Sequence, residues 1–208
     1  MLSLDAGVIY RIPALLIALT VHEYAHGMVS DSLGDPTPRM QGRLTLNPLA
    51  HLDILGTFML LVAGFGWAKP VMIDPRYYKD IRSGTMKVAF AGPGSNLFVC
   101  FLALFFMNLL GHFGLVGNNS MVVLFLRWLM LYNVWFAFFN LIPLPPLDGS
   151  KILSSFLSPR QNYEYGKIAP YSFYILIALV FTGLTNIFIM PLAQGYVSII
   201  QMILGIIF

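Results

Sequence analysis

Ile12-Pro13-Ala14-Leu15-Leu16-Ile17-Ala18-Leu19-Thr20-Val21-His22-Glu23-Tyr24-Ala25-His26 is the stretch that decides how the rest of this 208-residue chain is read. An uncharged run, Ile12 to Val21, leads directly into two imidazoles and a carboxylate. An ionised side chain at membrane depth costs about 2.5 to 3.5 kcal/mol even on the mildest scale, so such groups are kept for a task. The spacing H-E-x-x-H sets His22 and His26 at i and i+4, about 40° apart around a helix, so both can reach one zinc ion. Glu23 stands beside His22 without being a ligand, where it can take a proton from a metal-bound water.

Working outward, composition speaks for a membrane chain. Charged residues are 10% and hydrophobic ones 58% of the sequence, with a mean hydropathy of +0.76, against about 25% charged in an ordinary soluble domain. No charge occurs over Val88 to Leu126, Trp128 to Leu147 or Ile168 to Phe208, and each run can hold a span of about 20 residues. The net charge of +3 forms no patch with interleaved aromatics, so nucleic acid is not an expected partner. It sets orientation instead. Lys69, Arg76, Lys79, Arg82 and Lys87 lie in one connector, and Lys151, Arg160 and Lys167 follow Asp148 in another. The connector from His112 to Ser120 has neither lysine nor arginine. The positive-inside bias places the first two in the cytoplasm and the third outside. Arg127, near the outer end of its helix, is expected to snorkel towards the headgroups. Cys100, in an apolar helix, is expected to pack, and a lone cysteine excludes internal disulfides. With no basic segment and cleavage site at its start, the first apolar run is expected to be a permanent helix.

The pattern predicts helices over about Gly7 to Ser30, Ser83 to Leu110, Met121 to Leu141, Pro170 to Leu184 and Pro191 to Phe208. A polar, strand-like piece, Met40 to Asn47, follows the first helix. Ile54 to Phe65 is apolar but about half a span long, closed by Gly64-Phe65-Gly66. If it crossed, the His26 end of the first helix and the Asp148 end of the third long one would lie on opposite sides. A re-entrant element within Gly42 to Pro70 brings them together and agrees with the charge placement, and irregular backbone is tolerated at depth where protein buries it or a wet cavity is lined. A short or tilted full span is the alternative.

Two histidines leave a catalytic zinc short of its usual three protein ligands. His51, His112, Asp53, Asp148 and Glu164 are the candidates. Asp148 closes Asn140-Leu141-Ile142-Pro143-Leu144-Pro145-Pro146-Leu147-Asp148-Gly149, where three prolines in four residues forbid regular hydrogen bonding and make a strut. H-E-x-x-H in a membrane helix followed by N-x-x-P-x-P-P-L-D-G resembles the site-2 protease family of intramembrane zinc metalloproteases. The likeness extends to Asn47-Pro48, His51-Leu52-Asp53, Gly66-Trp67-Ala68-Lys69-Pro70 and Gly92-Pro93-Gly94-Ser95-Asn96, over roughly residues 7 to 155. It resembles the short bacterial type without a PDZ or CBS domain.

The resemblance implies that His22, His26 and Asp148 bind one zinc per chain, that Glu23 is the general acid/base, and that the site lies near the cytoplasmic face. The expected architecture is an all-α polytopic membrane protein in one domain over 1–208: a three-helix catalytic core at about 7–155 with a re-entrant loop or hairpin, and two further C-terminal transmembrane helices at about 170–208. The expected function is intramembrane endopeptidase action on a transmembrane segment of a membrane-protein substrate in the cell membrane. The alternative is a membrane zinc-binding scaffold or transporter without proteolysis; a transporter calls for ionisable groups along a path through the bilayer, and 170–208 adds none. Asn140, His51 and Asn96 are further candidates for contact with substrate or oxyanion. Asn140 can equally cap its helix, and His51 with Asp53 can equally form a self-contained turn.

Overall fold

The computed structural model of the protein describes residues 7–54, 56, 68–117 and 119–208. In chain order the α-helices bounded within the described residues are α1 (Val8–Ser32), α2 (Thr37–Met40), α3 (Ile81–His112), α4 (Met121–Asn140), α5 (Asp148–Ser154), α6 (Pro159–Gly166), α7 (Ser172–Phe181) and α8 (Leu184–Ile207). No strand is present among the described residues. Helices satisfy their own N–H and C=O groups, which is what a segment needs where no water can receive them. Four of them, α1, α3, α4 and α8, are long and apolar enough to cross a bilayer.

Local chemistry sets the ends of these rods. The Asp80 carboxylate caps α3 by accepting from the N–H groups of Arg82 and Ser83, and the Ser120 hydroxyl caps α4 by accepting from Val123. At 32 residues α3 is about 48 Å long, so it outruns a hydrocarbon layer of about 30 Å and carries Arg82 and Lys87 beyond it. Beyond Asn140, Pro143, Pro145 and Pro146 stop α4. Helices α3 and α4 form a central pair. On one face Ala14 of α1 meets Ala103, Leu126 and Leu129; on another Ala193 and Leu204 of α8 meet Cys100, Leu104 and Val134. Cys100 is thus fully buried in a packing role. Arg127 is exposed near the start of α4.

The Ser32 end of α1 is tied down by a buried carboxylate. Asp35 accepts from the Ser30 hydroxyl at 2.7 Å, the Thr37 N–H at 2.9 Å and the Asp74 N–H at 2.8 Å. The Tyr78 hydroxyl, 2.7 Å from Ser30 Oγ, closes the group. Helix α1, the start of the connector and the run before α3 are therefore one unit.

Two expectations need correction. The piece from Met40 to Asn47 is not a strand: Met40 ends α2, and the chain turns at Gln41 and Gly42 and bends at Leu44 and Thr45. Its backbone groups are met locally, Arg43 N–H by the Pro38 carbonyl and the Thr45 carbonyl by the His51 ring, so no ladder is needed. The C-terminal region contains one span-length helix, not two. Helix α7 has 10 residues, about 15 Å, half the hydrocarbon thickness. Gly183 at φ 73° breaks the chain after it, a left-handed conformation that costs glycine little. Helix α8 then begins at Leu184 and takes Pro191 into its interior.

Of the half-span Ile54 to Phe65, all but Ile54 and Gly56 lies outside the described residues, as does Gly64-Phe65-Gly66. Its flanks are described. Leu52 and Ala68 pair antiparallel, and the Lys69 N–H donates to the His51 carbonyl at 2.9 Å. Both flanks therefore sit at one depth, where a single complete crossing would set them about 30 Å apart.

Candidate metal centre

Helix α1 turns His22 and His26 inward, 3% and 8% exposed, and the proline turn delivers Asp148 at 5%. The Nε2 atoms of the histidines are 3.0 Å apart, and each lies 3.1 Å from Asp148 Oδ2. Hydrogen bonding behind the rings decides what these three atoms are. His26 Nδ1 is 2.7 Å from the Val88 carbonyl, which can only accept, so the proton is on Nδ1. His22 Nδ1 is 2.7 Å from Asn96 Oδ1. The Asn96 amide cannot be turned round, because its Nδ2 donates to the Ala18 carbonyl at 2.9 Å and to Asn133 Oδ1 at 2.8 Å. Asn133 is fixed in turn by donating to the Leu129 carbonyl. In their neutral form both imidazoles thus present bare Nε2 lone pairs.

Two bare nitrogens and a carboxylate oxygen in mutual contact repel one another unless a metal ion or a shared proton lies between them. The donor set fits zinc: ligands at about 2.0 to 2.1 Å in tetrahedral array are about 3.3 Å from each other, close to the triangle found. Two ring nitrogens with one carboxylate also favour zinc over magnesium or calcium. Among the described residues these three are the group of His, Cys, Asp and Glu able to hold a metal. Gly92 of α3 makes the room. A methyl group there would stand 2.6 Å from Cε1 of both histidines, well inside contact distance. Phe136 closes another side, its ring 5.0 Å from that of His22.

Asp148 opens α5, and its position depends on the turn before it. The Leu147 N–H donates to the Leu144 carbonyl, Ser150 Oγ to the Leu147 carbonyl at 2.7 Å, and the Tyr165 hydroxyl to the Pro143 carbonyl at 2.9 Å. The second carboxylate oxygen, Oδ1, faces Lys151 Nζ at 3.3 Å. Glu23 is outside the triangle. Its Oε2 accepts from the Val71 N–H at 2.9 Å, so the irregular run 69–74 passes alongside it.

The other candidates fall elsewhere. Asn96 is fully buried with both ends of its amide engaged, so it stands behind His22 and is corrected from a substrate contact to a support. His51, 1% exposed, donates from Nε2 to the Thr45 carbonyl at 2.8 Å; it likewise belongs to the connector and not to the metal. Asp53 Oδ1 accepts from the Gly56 N–H. Asn140 commits one amide proton to the Phe136 carbonyl at 3.0 Å. His112 packs against Phe113 and Phe208, and Glu164 pairs with Lys167 on the surface; neither joins the triangle. Residues not singled out in the sequence are Asn133, Val88 through its carbonyl, and Arg43. An asparagine in an uncharged span is the signal by which Asn133 was findable; nothing in the sequence marks Val88.

Comparison with known proteins bears on the same residues. Residues 111–183, which include the proline turn and Asp148, match Peptidase family M50. The chain is 37% identical over 190 residues to "Putative zinc metalloprotease YwhC" of Bacillus subtilis (strain 168), covering 89% of this chain and 86% of that one. It is 28% identical over 178 residues to "Putative zinc metalloprotease Rip2" of Mycolicibacterium smegmatis, 82% of this chain and 66% of the other. It is 29% identical over 190 residues to the protein of that name in Mycobacterium tuberculosis H37Rv, covering 87% and 70%. No solved structure matches the chain. The paired motifs, the helical membrane architecture and the likeness over nearly the whole length of one relative make this chain a member of peptidase family M50, the site-2 protease family of membrane metalloproteases.

Proposed function

We propose that the protein is an intramembrane zinc endopeptidase that hydrolyses a peptide bond in or beside a transmembrane segment of a membrane protein, with one zinc per chain. The observation that carries this is the triangle of His22, His26 and Asp148 donor atoms on membrane-embedded elements, with a carboxylate at the next position on α1. Three donors favour a catalytic site, since a structural zinc is closed by four. Bound there, zinc supplies a Lewis acid that lowers the pKa of its water and polarises a carbonyl.

The chain's own groups do the rest. Val71 holds Glu23 by Oε2, which leaves Oε1 to receive the proton of the attacking water and return it to the leaving amine. Asn140, with its carbonyl oxygen and one amide proton uncommitted to Phe136, is placed at the head of the proline turn to bond substrate backbone. A scissile bond must first leave its own helix, and the freed backbone then needs partners. The run 69–74, free of regular structure beside Glu23, offers an edge for an unwound substrate strand. The basic connectors support a site near the cytoplasmic face of the cell membrane.

The test is to compare wild type with Glu23→Gln and His22→Ala. Glu23→Gln is expected to keep its zinc and lose cleavage, while His22→Ala loses both; quantitative membrane proteomics should show uncut substrates accumulating with Glu23→Gln. Undiminished turnover by that variant would overturn the assignment. Disulfide trapping of a cleaved substrate against 69–74 checks the docking edge, and consistent failure to trap counts against it.

A further inference from the structure

Arg43 is 4% exposed, in a chain whose other described lysines and arginines are half-buried or exposed. No carboxylate lies within ion-pair range of it among the described residues, and its Nε is buried without a partner. Burial draws its pKa down and the charge of Glu23 opposes this. Removing a guanidinium from water is costly, and such a group persists where its bonds fix something that needs fixing.

What it fixes is the run beside Glu23. Arg43 Nη2 donates to the Lys69 carbonyl. The same nitrogen lies 3.5 Å from His51 Nδ1, a bare nitrogen because His51 gives its Nε2 proton to the Thr45 carbonyl. The Lys69 N–H returns to the His51 carbonyl at 2.9 Å, which closes a ring through residues 43, 51 and 69. Pro70, with its fixed φ and no N–H, passes that placement stiffly to Val71, and Val71 grips Glu23.

We infer that Arg43 is a positioning residue: it holds 69–71 so that the Val71 N–H fixes the Glu23 carboxylate and the edge of this run stays open. The metal ligands do not depend on it, since Asn96, Val88 and the proline turn hold them. The inference rests on the proposed role of Glu23, but two of its readouts need no cleavage.

The experiment uses the full chain in lipid nanodiscs as Arg43→Met and Arg43→Lys, with three measurements: amide hydrogen exchange over 69–74, affinity for zinc itself by chelator competition, and steady-state cleavage of a synthetic single-span peptide that the wild type cuts. In Arg43→Met the Val71 amide should exchange at least about tenfold faster while α1 and α3 keep their protection. Zinc affinity should stay within about twofold. Loss of kcat should be about 10- to 100-fold, the range for supporting partners, with KM changed less. Arg43→Lys keeps the charge but replaces the planar guanidinium, whose Nη2 serves both Lys69 and His51, with a flexible ammonium, and should restore neither protection nor kcat. Unchanged Val71 protection, zinc affinity falling along with it, or full rescue by lysine overturns the inference. Should Arg43→Met fail to fold, Arg43→Gln, which keeps a polar end but loses the guanidinium that joins Lys69 and His51, carries the same measurements with the same expected results. Cleavage by Glu23→Gln would count against the catalytic reading alone, leaving the exchange result to judge Arg43.

Discussion

At the scale of single residues the centre depends on what stands behind and beside the ligands. Gly92 lets α3 pass so close to both imidazoles that an added methyl group would lie 2.6 Å from either Cε1. Gly92→Ala must push the rings apart, and metal affinity is expected to fall at least about 100-fold while circular dichroism shows the helices intact. Asn96 and Asn133 act through the His22 tautomer. With Asn133→Leu the Asn96 amide loses one of the two acceptors that fix its orientation, and it can turn to offer N–H where His22 needs an acceptor. Asn96→Leu removes the acceptor outright. Zinc affinity should drop about 10- to 100-fold for Asn96→Leu and less for Asn133→Leu, measured by chelator competition; equal affinity in all three proteins would remove the relay.

At the scale of elements, the end of α1 is secured through Asp35. Burial alone would raise its carboxyl pKa, but the Thr37 hydroxyl, the Asp74 N–H, the Ser30 hydroxyl and the Thr37 N–H together bring it below the ordinary carboxylate value. A depressed native pKa means that the stabilisation is present above the unfolded value near 4 and lost as pH falls through the lower folded one. Thermal melts in detergent should show Asp35→Asn less stable at pH 7 by about 2 kcal/mol. The gap to wild type should close below about pH 4; a constant gap down to pH 2 would assign the effect to shape and not charge. The ease of reading such elements from sequence varied with how local their causes are. His22, Glu23 and His26 are one turn of one helix, and Asp148 sits at the end of three prolines, so both declared themselves through spacing. Asn96 was visible as a polar residue in a span, but whether it faces substrate or His22 depends on how α3 is rotated against α1. Arg43 gave no sign, because its partners come from residues 51 and 69, brought together only by the folded connector.

At the scale of the whole molecule, the count of crossings decides where the chain ends. Uniform apolarity from Ile168 onward hides the break at Gly183, so hydropathy suggests two C-terminal spans where the structure has one. Helix α7 instead exposes Phe173, Tyr174 and Phe181, at 59%, 70% and 77%. With α1, α3, α4 and α8 as the crossings, and the flanks at Leu52 and Ala68 paired at one depth, the two ends of the described chain fall on the same side. The Phe208 ring lies 5.7 Å from that of His112, so the end of α8 shares its side with the connector that lacks basic residues. On the positive-inside bias this is the expected outer side. In a Cys100→Ser background, Gly117→Cys and Phe208→Cys should react with a membrane-impermeant maleimide on intact cells, and Arg160→Cys only after permeabilisation. Protection of Phe208→Cys beside a reactive Gly117→Cys would mean that α7 and α8 both cross and that the chain turns back to the cytoplasm.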